Sequence, residues 1–490
     1  MDGRHVVVIG GGLAGISAAL ACSDAGCQVT IIEARNHLGG RVSSIKHPRQ
    51  DWKLDNCQHA CFRVYDRFLQ LMGRANAQQS IKLQANTNLP FALPDKKVFS
   101  SLTTGRLSPP NHMMGSMLAF PFLSLRDKLA MRKAVKALSS MTDLQMWQLD
   151  DVLFVDWLKE NGQTERAIER FWGFFVLAAL NISIQEASAA QACMLFKNGL
   201  FGEADAFDVG AFTSDLSESI EPALSSALEK AGVIIIRNST VKGIELENDC
   251  ITSVETQDDK IQCSDIIFAT PHHITSRILQ HSIADSDEQY SQQRKSKIEN
   301  MCLDISRMEY RSLIGIHSFY RGNRIPEDFT FAAMIDQPLI QMIFNRNSEL
   351  SHPLEEGVQW ISVPVSAADN FLKMKDEEIL QQLDSVLQQL WPEDADIERF
   401  EHLIVRTPKA TIATTPGSAK IRPTASILGD NIALAGCWTR TNWPSTMEGA
   451  VRSGLSAAAH ILNLKWDSDN PWQQWPQRPK RGDKEWPVWQ

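Results

Sequence analysis

Val6–Ile9 is a run of four apolar residues, cut off by Gly10, Gly11, Gly12 and Gly15. Such a run bounded by turn signals predicts a buried strand. Leu13 to Ala21 is small and apolar and predicts a slim helix. Val29–Ile32 predicts a second strand that stops at Glu33. Strand, glycine turn, helix and strand make a βαβ unit with a parallel sheet. Leu125 to Leu138 repeats apolar residues near a 3.6 period, interrupted by Arg and Lys, within a helical stretch from Ser116 to Leu200. Residues 76–105 read as polar and turn-rich, with Pro90 and Pro94. Glu221 to Ala231 predicts a helix leading into a strand at Val233–Ile236, and Asp265 to Thr270 a strand ended by Pro271. Strands are expected near 313–320, 330–335, 339–345 and 358–364, then a helix over 376–391. A last helix is expected from Thr446 to Leu462.

The glycine turn carries chemistry. Gly10 permits the tight turn, Gly12 a close backbone approach to a pyrophosphate, and Gly15 the packing of helix on strand. The helix N-terminus offers free N–H groups to phosphates. Glu33 stands 18 positions after Gly15, where a carboxylate accepts hydrogen bonds from a ribose. Embedded glycines and a strand ending on an acid argue against a secretory signal over residues 6–22.

Leu38-Gly39-Gly40-Arg41-Val42 follows Glu33-Ala34-Arg35 and can wrap a pyrophosphate from its other side. Leu434-Ala435-Gly436 and Thr446-Met447-Glu448-Gly449-Ala450-Val451-Arg452-Ser453-Gly454 lie near the far end. Together these stretches resemble the flavin amine oxidase and phytoene desaturase superfamily. The resemblance implies FAD as cofactor. It implies a Rossmann-like FAD-binding domain of the two-dinucleotide-binding type, α/β in class, with an inserted α+β substrate domain. The FAD domain would comprise 1–75, 205–275 and 426–465, the substrate domain 76–204 and 276–425, and residues 466–490 a tail. It also places Leu13, Ala14, Ala34, Arg35, Val42, Gly436, Cys437, Thr446, Met447 and Ala450 at the cofactor, and the Val241 backbone at the adenine.

Asp55-Asn56-Cys57-Gln58-His59, Leu177-Ala178-Ala179-Leu180-Asn181 and Trp443-Pro444-Ser445-Thr446-Met447-Glu448 narrow the resemblance to the hydroxysqualene dehydroxylase family, the squalene-associated FAD-dependent desaturases. What this implies is reductive removal of an allylic hydroxyl from a C30 isoprenoid, hydroxysqualene going to squalene in squalene and hopanoid biosynthesis. NAD(P)H is the candidate external reductant, although no separate nicotinamide site is visible. Hydride would come from reduced flavin, and the departing oxygen needs an acid. Asp55 and His59 are the candidates for it. Two positions depart from the family: Cys437 stands where Asp is usual, and Cys57 where Gly is usual. A carotenoid desaturase is the nearest alternative. A flavin amine oxidase is less favoured, because Thr446 replaces a cage aromatic. A flavin- or prenyl-lipid-binding protein without turnover is a third reading, suggested by the two cysteines.

The C-terminal helix carries a small-residue face of Gly449, Ala450, Gly454 and Ala458, which would let backbone lie close to a ring system. Trp157, Phe171, Trp172, Phe174 and Phe175 read as core, or as the wall of an apolar tunnel. A length of 490 residues suggests two domains, and a net charge of −9 offers no footprint for nucleic acid. No apolar run is long enough to span a bilayer. Nine scattered cysteines give no zinc spacing and no closed disulfide framework, so no metal is expected and a reducing cytoplasm is the simple location. The last 25 residues hold five Trp and four Pro. They read either as a tail packed on the body or as an anchor giving peripheral contact with the cytoplasmic face of a membrane.

Overall fold

The computed structural model describes residues 3–247, 250–284, 291–466 and 470–489. Its centre is a five-stranded parallel sheet in the order Ile234–Ile236, Gln28–Ile32, His5–Ile9, Asp265–Phe268, Ile432–Leu434. Val6 lies opposite Val29 on one side and Asp265 on the other. Both faces are covered, which is why these strands are apolar at nearly every position. Val6 and Val8 belong to one core, with the Leu13–Asp24 and Met447–Ile461 helices. Val7 and Ile9 belong to another, with the antiparallel meander Val241–Glu247, Cys250–Thr256, Lys260–Gln262 and the helices His272–Ala284 and Gln292–Ser306. The fold is thus a Rossmann-like domain assembled from distant parts of the chain.

The two helices on the first face touch backbone to backbone. A Cβ on Gly454 would overlap the Ala14 carbonyl oxygen, and one on Gly15 would overlap the Gly10 carbonyl oxygen. The Ser17 hydroxyl donates to the carbonyls of Ala14 at 3.0 Å and Val451 at 3.2 Å. Gly449 is closed in by the Pro444 carbonyl. Gly449 and Gly454 therefore serve protein–protein packing, not an approach to a ring system.

The second part is built on a seven-stranded sheet. Its order is Arg399–Ile412, Tyr310–Arg321, Val358–Ser366, Met342–Asn345, Phe331–Met334, Asn88–Leu93, Val98–Thr103. Only the pairing of Phe331–Met334 with Asn88–Leu93 is parallel. The helix Asp376–Leu390 buries Ile379, Leu383 and Leu387 against one face. Beside this sheet lie the helices Met114–Ala119, Leu125–Ser140, Phe154–Glu160 and Gly173–Leu180. Ser124 and Asp127 cap the second of them reciprocally, Asp127 N donating to Ser124 Oγ and Ser124 N to Asp127 Oδ2. Ile168–Trp172 and Leu195–Leu200 are wide π turns, a feature frequent at functional sites.

One sequence expectation needs correction, and one strand escaped the sequence reading. Residues 76–105 contain the strands Ile81–Gln84, Asn88–Leu93 and Val98–Thr103. These strands are short, and their partners at 209–212 and 331–334 lie far along the chain. Arg399–Ile412, 14 residues long, was likewise hidden by its charged positions and pairs with Tyr310–Arg321. The tail also packs on the body. Val488–Trp489 adds a parallel strand to Ile81–Gln84, and Trp472, Trp475, Trp486 and Trp489 are all buried. Trp475 Nε1 donates to Asp24 Oδ2 at 2.7 Å, and Arg481 grips the buried Asp208. Rings spent on this contact are not available to a bilayer. Residues 467–469 and 490 of the tail lie outside the described residues.

Because Gly454 has no room for a methyl group, Gly454→Ala should cost about 2–4 kcal/mol of stability. Gly115→Ala, where a Cβ meets nothing within 4 Å, should be neutral or slightly stabilising. Thermal unfolding of the two variants checks this; equal melting temperatures would defeat the packing argument.

Candidate cofactor and active site

Gly10 has φ +112 and its N–H donates to the Ile32 carbonyl at 2.8 Å. A Cβ there would lie 2.8 Å from the Ala269 oxygen, so only glycine makes this turn. Gly12 precedes the helix, whose first residues Leu13 and Ala14 are buried. The second glycine pair lies directly on this loop. Gly39 N donates to the Gly11 carbonyl at 2.9 Å, and a Cβ on Gly40 would lie 3.2 Å from Gly12 Cα. Val42 N closes the second turn on the Gly39 carbonyl at 3.2 Å. Two stretches of bare backbone thus meet at a helix N-terminus, which suits a pyrophosphate.

Glu33 ends its strand beside them. One carboxylate oxygen accepts Gly11 N at 2.7 Å and the other Arg35 N at 2.9 Å. Each oxygen keeps a lone pair for a ribose hydroxyl. Ser239 N donates to the Glu33 carbonyl and Asn238 N to that of Arg35, both at 3.1 Å. This folds the chain over the acid just before Val241 begins its strand. Ala34 and Arg35 are exposed at the same edge.

The far end of the chain completes the cleft. Gly436 has φ +131, and its N–H donates to Ser453 Oγ at 2.8 Å. Cys437 is buried, with Arg41 Nη2 and Ser445 Oγ each 2.8 Å from its sulfur. Burial alone would push this thiol up, but Arg41, Ser445 and Arg422 outweigh it and hold the group below its ordinary value. Thr446 caps the following helix, accepting Gly449 N at 3.2 Å, and Met447 and Ala450 stand half-buried on its first turn. Glu448 points the other way. It is fully buried, accepting Phe68 N at 2.8 Å and Arg452 Nε at 2.5 Å. The Phe68 bond ties the helix to the Asp66–Arg74 helix, and the buried carboxylate is costly to unpair.

Donors, glycine cradle, ribose acceptor and cationic Arg41 fit a flavin dinucleotide. When bound, FAD would supply hydride acceptance or donation. Among the described residues no group of three His, Cys, Asp or Glu is arranged to hold a metal.

The structure brings Asp55 and His59 together but gives them different surroundings. Asp55 is 2 % exposed. Its Oδ1 accepts Ser44 Oγ at 3.0 Å and Leu216 N at 2.8 Å, and Arg346 stands 3.7 Å from Oδ2. The carboxylate so braces three segments. His59 is half-exposed, and its Nδ1 lies 2.8 Å from the Cys57 carbonyl, so that nitrogen carries the proton. Burial holds the imidazole below its usual range against the pull of Asp55. A neutral ring with a lone pair on Nε2 is an acceptor first. Cys57 is a buried thiol whose Cα lies 3.0 Å from where a Gly315 side chain would start.

An apolar cavity opens in front of Thr446. Phe62, Tyr65, Leu180, Met194, Phe207 and Trp443 line it, with Asn198 as a polar exception. The Tyr65 hydroxyl meets the Thr446 side chain, and burial raises its pKa, so it keeps its proton. Tyr65 was not singled out from the sequence; its only signal is its place shortly after the Asp55–His59 block. The aromatic cluster expected as core or tunnel is core: Phe171, Trp172 and Phe175 are buried against Phe154 and Phe196. Asn181, in the left-handed conformation, clasps Ser312, Thr411 and Ala367 rather than facing the cavity.

Fold and site together define a flavin-dependent oxidoreductase. The family model of flavin containing amine oxidoreductases matches residues 13–462, and the chain belongs to that family. The hydroxysqualene dehydroxylase of Zymomonas mobilis is 25% identical, over 93% of this chain and 98% of that protein. The 15-cis-phytoene desaturase of Glycine max is 23% identical, over 94% of this chain and 79% of that protein. Among solved structures, putrescine oxidase with putrescine bound superposes with a TM-score of 0.69 at 18% identity, covering 94% of this chain and 99% of that one. Cyclohexylamine oxidase from Brevibacterium oxydans gives 0.65 at 14%, with the same coverage. The protein is an FAD-dependent oxidoreductase of the amine oxidase and desaturase superfamily. Nothing in these comparisons supports NAD(P)H.

Three variants test the cleft. Glu33→Ala should raise the FAD Kd by about 10- to 100-fold, as expected for losing charged hydrogen bonds. Cys437→Asp should tighten FAD, since a carboxylate is the better acceptor for Arg41, while Cys437→Ala should loosen it. Flavin titration of the apoprotein measures all three; unchanged affinities would remove these residues from the cofactor site.

Proposed function

We propose that the protein reductively dehydroxylates a C30 allylic alcohol, hydroxysqualene going to squalene. The observation that carries this reading is the cavity at Thr446, walled by aromatic and aliphatic side chains and without a carboxylate. The reacting segment of an isoprenoid would gain about 25 cal/mol per Å² against such a wall, whereas an ammonium would find no carboxylate there. Tyr65 and Trp443 meet edge to face, 6.5 Å apart at 82°, not as two parallel walls around a cation. The match to a hydroxysqualene dehydroxylase over 98% of its length supports the same reading.

The reaction balances as a two-electron reduction. When bound, reduced FAD would supply the hydride that replaces the hydroxyl on carbon; the C–O bond would break and the oxygen would leave as water after taking up one proton. Tyr65 keeps its proton and lines the cavity beside Thr446, so we assign it the donation to that oxygen. His59, neutral with an open Nε2, is better placed to accept a proton than to supply one. Desaturation of a polyene is the second reading, favoured by the phytoene desaturase relatives and served by the same apolar wall.

Anaerobic protein with chemically reduced flavin should convert hydroxysqualene to squalene and reoxidise its flavin. Tyr65→Phe should slow this by about 10²-fold or more while retaining FAD. If hydroxysqualene is untouched and phytoene instead reduces the oxidised flavin, the protein is a desaturase. If neither reacts with flavin-replete protein, the proposal of turnover on either substrate fails.

A further inference from the structure

One outer face of the helical layer carries exposed apolar side chains. Met114 and Leu118, on the Met114–Ala119 helix, are 44% and 60% exposed, and Leu125 and Leu129 are 66% and 56% exposed. A soluble helix normally turns leucine inward, as Leu125–Ser140 does with Met131, Ala134 and Leu138. Leu125, Leu129, Arg132 and Lys136 follow the i, i+4, i+7, i+11 rule and share the opposite face. The two helices are joined there by Lys128 Nζ, which donates to the Leu118 carbonyl at 2.8 Å. The exposed leucines and Met114 are therefore neighbours in one patch rather than scattered residues.

The charge around the patch is one-sided. Residues 105–140 carry six Lys and Arg against one acid, in a chain whose net charge is −9. The acid, Asp127, is turned inward and engaged by Ser124 and Thr164. Arg126, Arg132 and Lys136 are exposed and have no ion pair or hydrogen bond among the described residues. Apolar side chains in the middle of a cationic field match a phospholipid leaflet bearing anionic headgroups: the leucines reach the acyl boundary and the cations the headgroups. The same helix packs on the Leu195–Leu200 turn, whose Leu195, Asn198 and Gly199 line the apolar cavity. We infer that the face formed by Met114, Leu118, Leu125, Leu129, Arg126, Arg132 and Lys136 docks the protein on an anionic membrane surface beside the cavity. This places membrane contact on these helices and not on the Trp-rich tail. It holds whichever apolar substrate the cavity takes, because docking is measured without turnover.

The test uses full-length, FAD-loaded protein and sedimentation with two kinds of vesicle, pure phosphatidylcholine and phosphatidylcholine with phosphatidylglycerol. Binding is expected to the anionic vesicles, weakening as salt rises. Leu125→Glu/Leu129→Glu and, separately, Arg126→Glu/Arg132→Glu/Lys136→Glu should each weaken it by about tenfold or more. Unchanged flavin absorbance and melting temperature show that the variants remain folded. Trp466→Ala should leave binding as it was. Equal vesicle binding by wild type and both multiple variants overturns the inference. So does a wild-type dimer in light scattering that both variants dissolve, because the face would then be covered by a second copy of the chain.

Discussion

The contact between the first and last helices holds the cofactor cleft together. Gly454 lies against the Ala14 carbonyl, and Ser17 bonds to the carbonyls of Ala14 and Val451. Backbone contact of this kind requires a missing side chain. It sets the separation between the glycine turn after the first strand and the Gly436–Thr446 segment after the last one. The Glu33 edge, the Gly39–Arg41 turn and the Cys437 sulfur are then held around a common space. A shift of either helix by the width of a methyl group would move one wall of that space relative to the other.

Electrostatics refines what packing sets up. Arg41 reaches across to Cys437, so the cation of one chain end meets the softest anion-forming group of the other. Arg41, Ser445 and Arg422 together hold this thiol low against its burial. Asp55 shows the opposite use of a charge. Its carboxylate is enclosed by Ser44, Leu216 and Arg346, and Arg346 in turn faces Glu349 and lies 5.0 Å from the Trp360 ring. Buried ionisable groups brought this close hold segments in place and are costly to unpair. His59 borders this group and is partly buried.

Apolar surface is distributed in three ways. The aromatic residues of the helical layer fill a core. Those around Thr446 leave a cavity. The leucines of the Leu125 face remain outside, ringed by cations. The tail tryptophans, which by composition suggested a membrane anchor, are consumed by the body, where Trp475 bonds Asp24 and Val488–Trp489 extends a sheet. Composition registers how many large rings a segment has; their use depends on whether a complementary surface lies within reach.

The sequence by itself determined the βαβ unit, the FAD cradle and the class of protein. Glycines at 10, 12 and 15 and the acid at 33 act through local geometry, and local geometry is written in consecutive residues. The strands at 358–366 and the helix at 376–390 were legible for the same reason, each being long and regularly patterned. Tertiary structure alone decided the pairing of Arg399–Ile412 with Tyr310–Arg321 and the burial of the tail. It also decided the enclosure of Asp55 and the arrival of Tyr65 beside Thr446. These depend on residues that meet from distant parts of the chain. No window of sequence contains both partners of such a contact, so its consequence for charge, burial and chemistry appears only once the chain is folded.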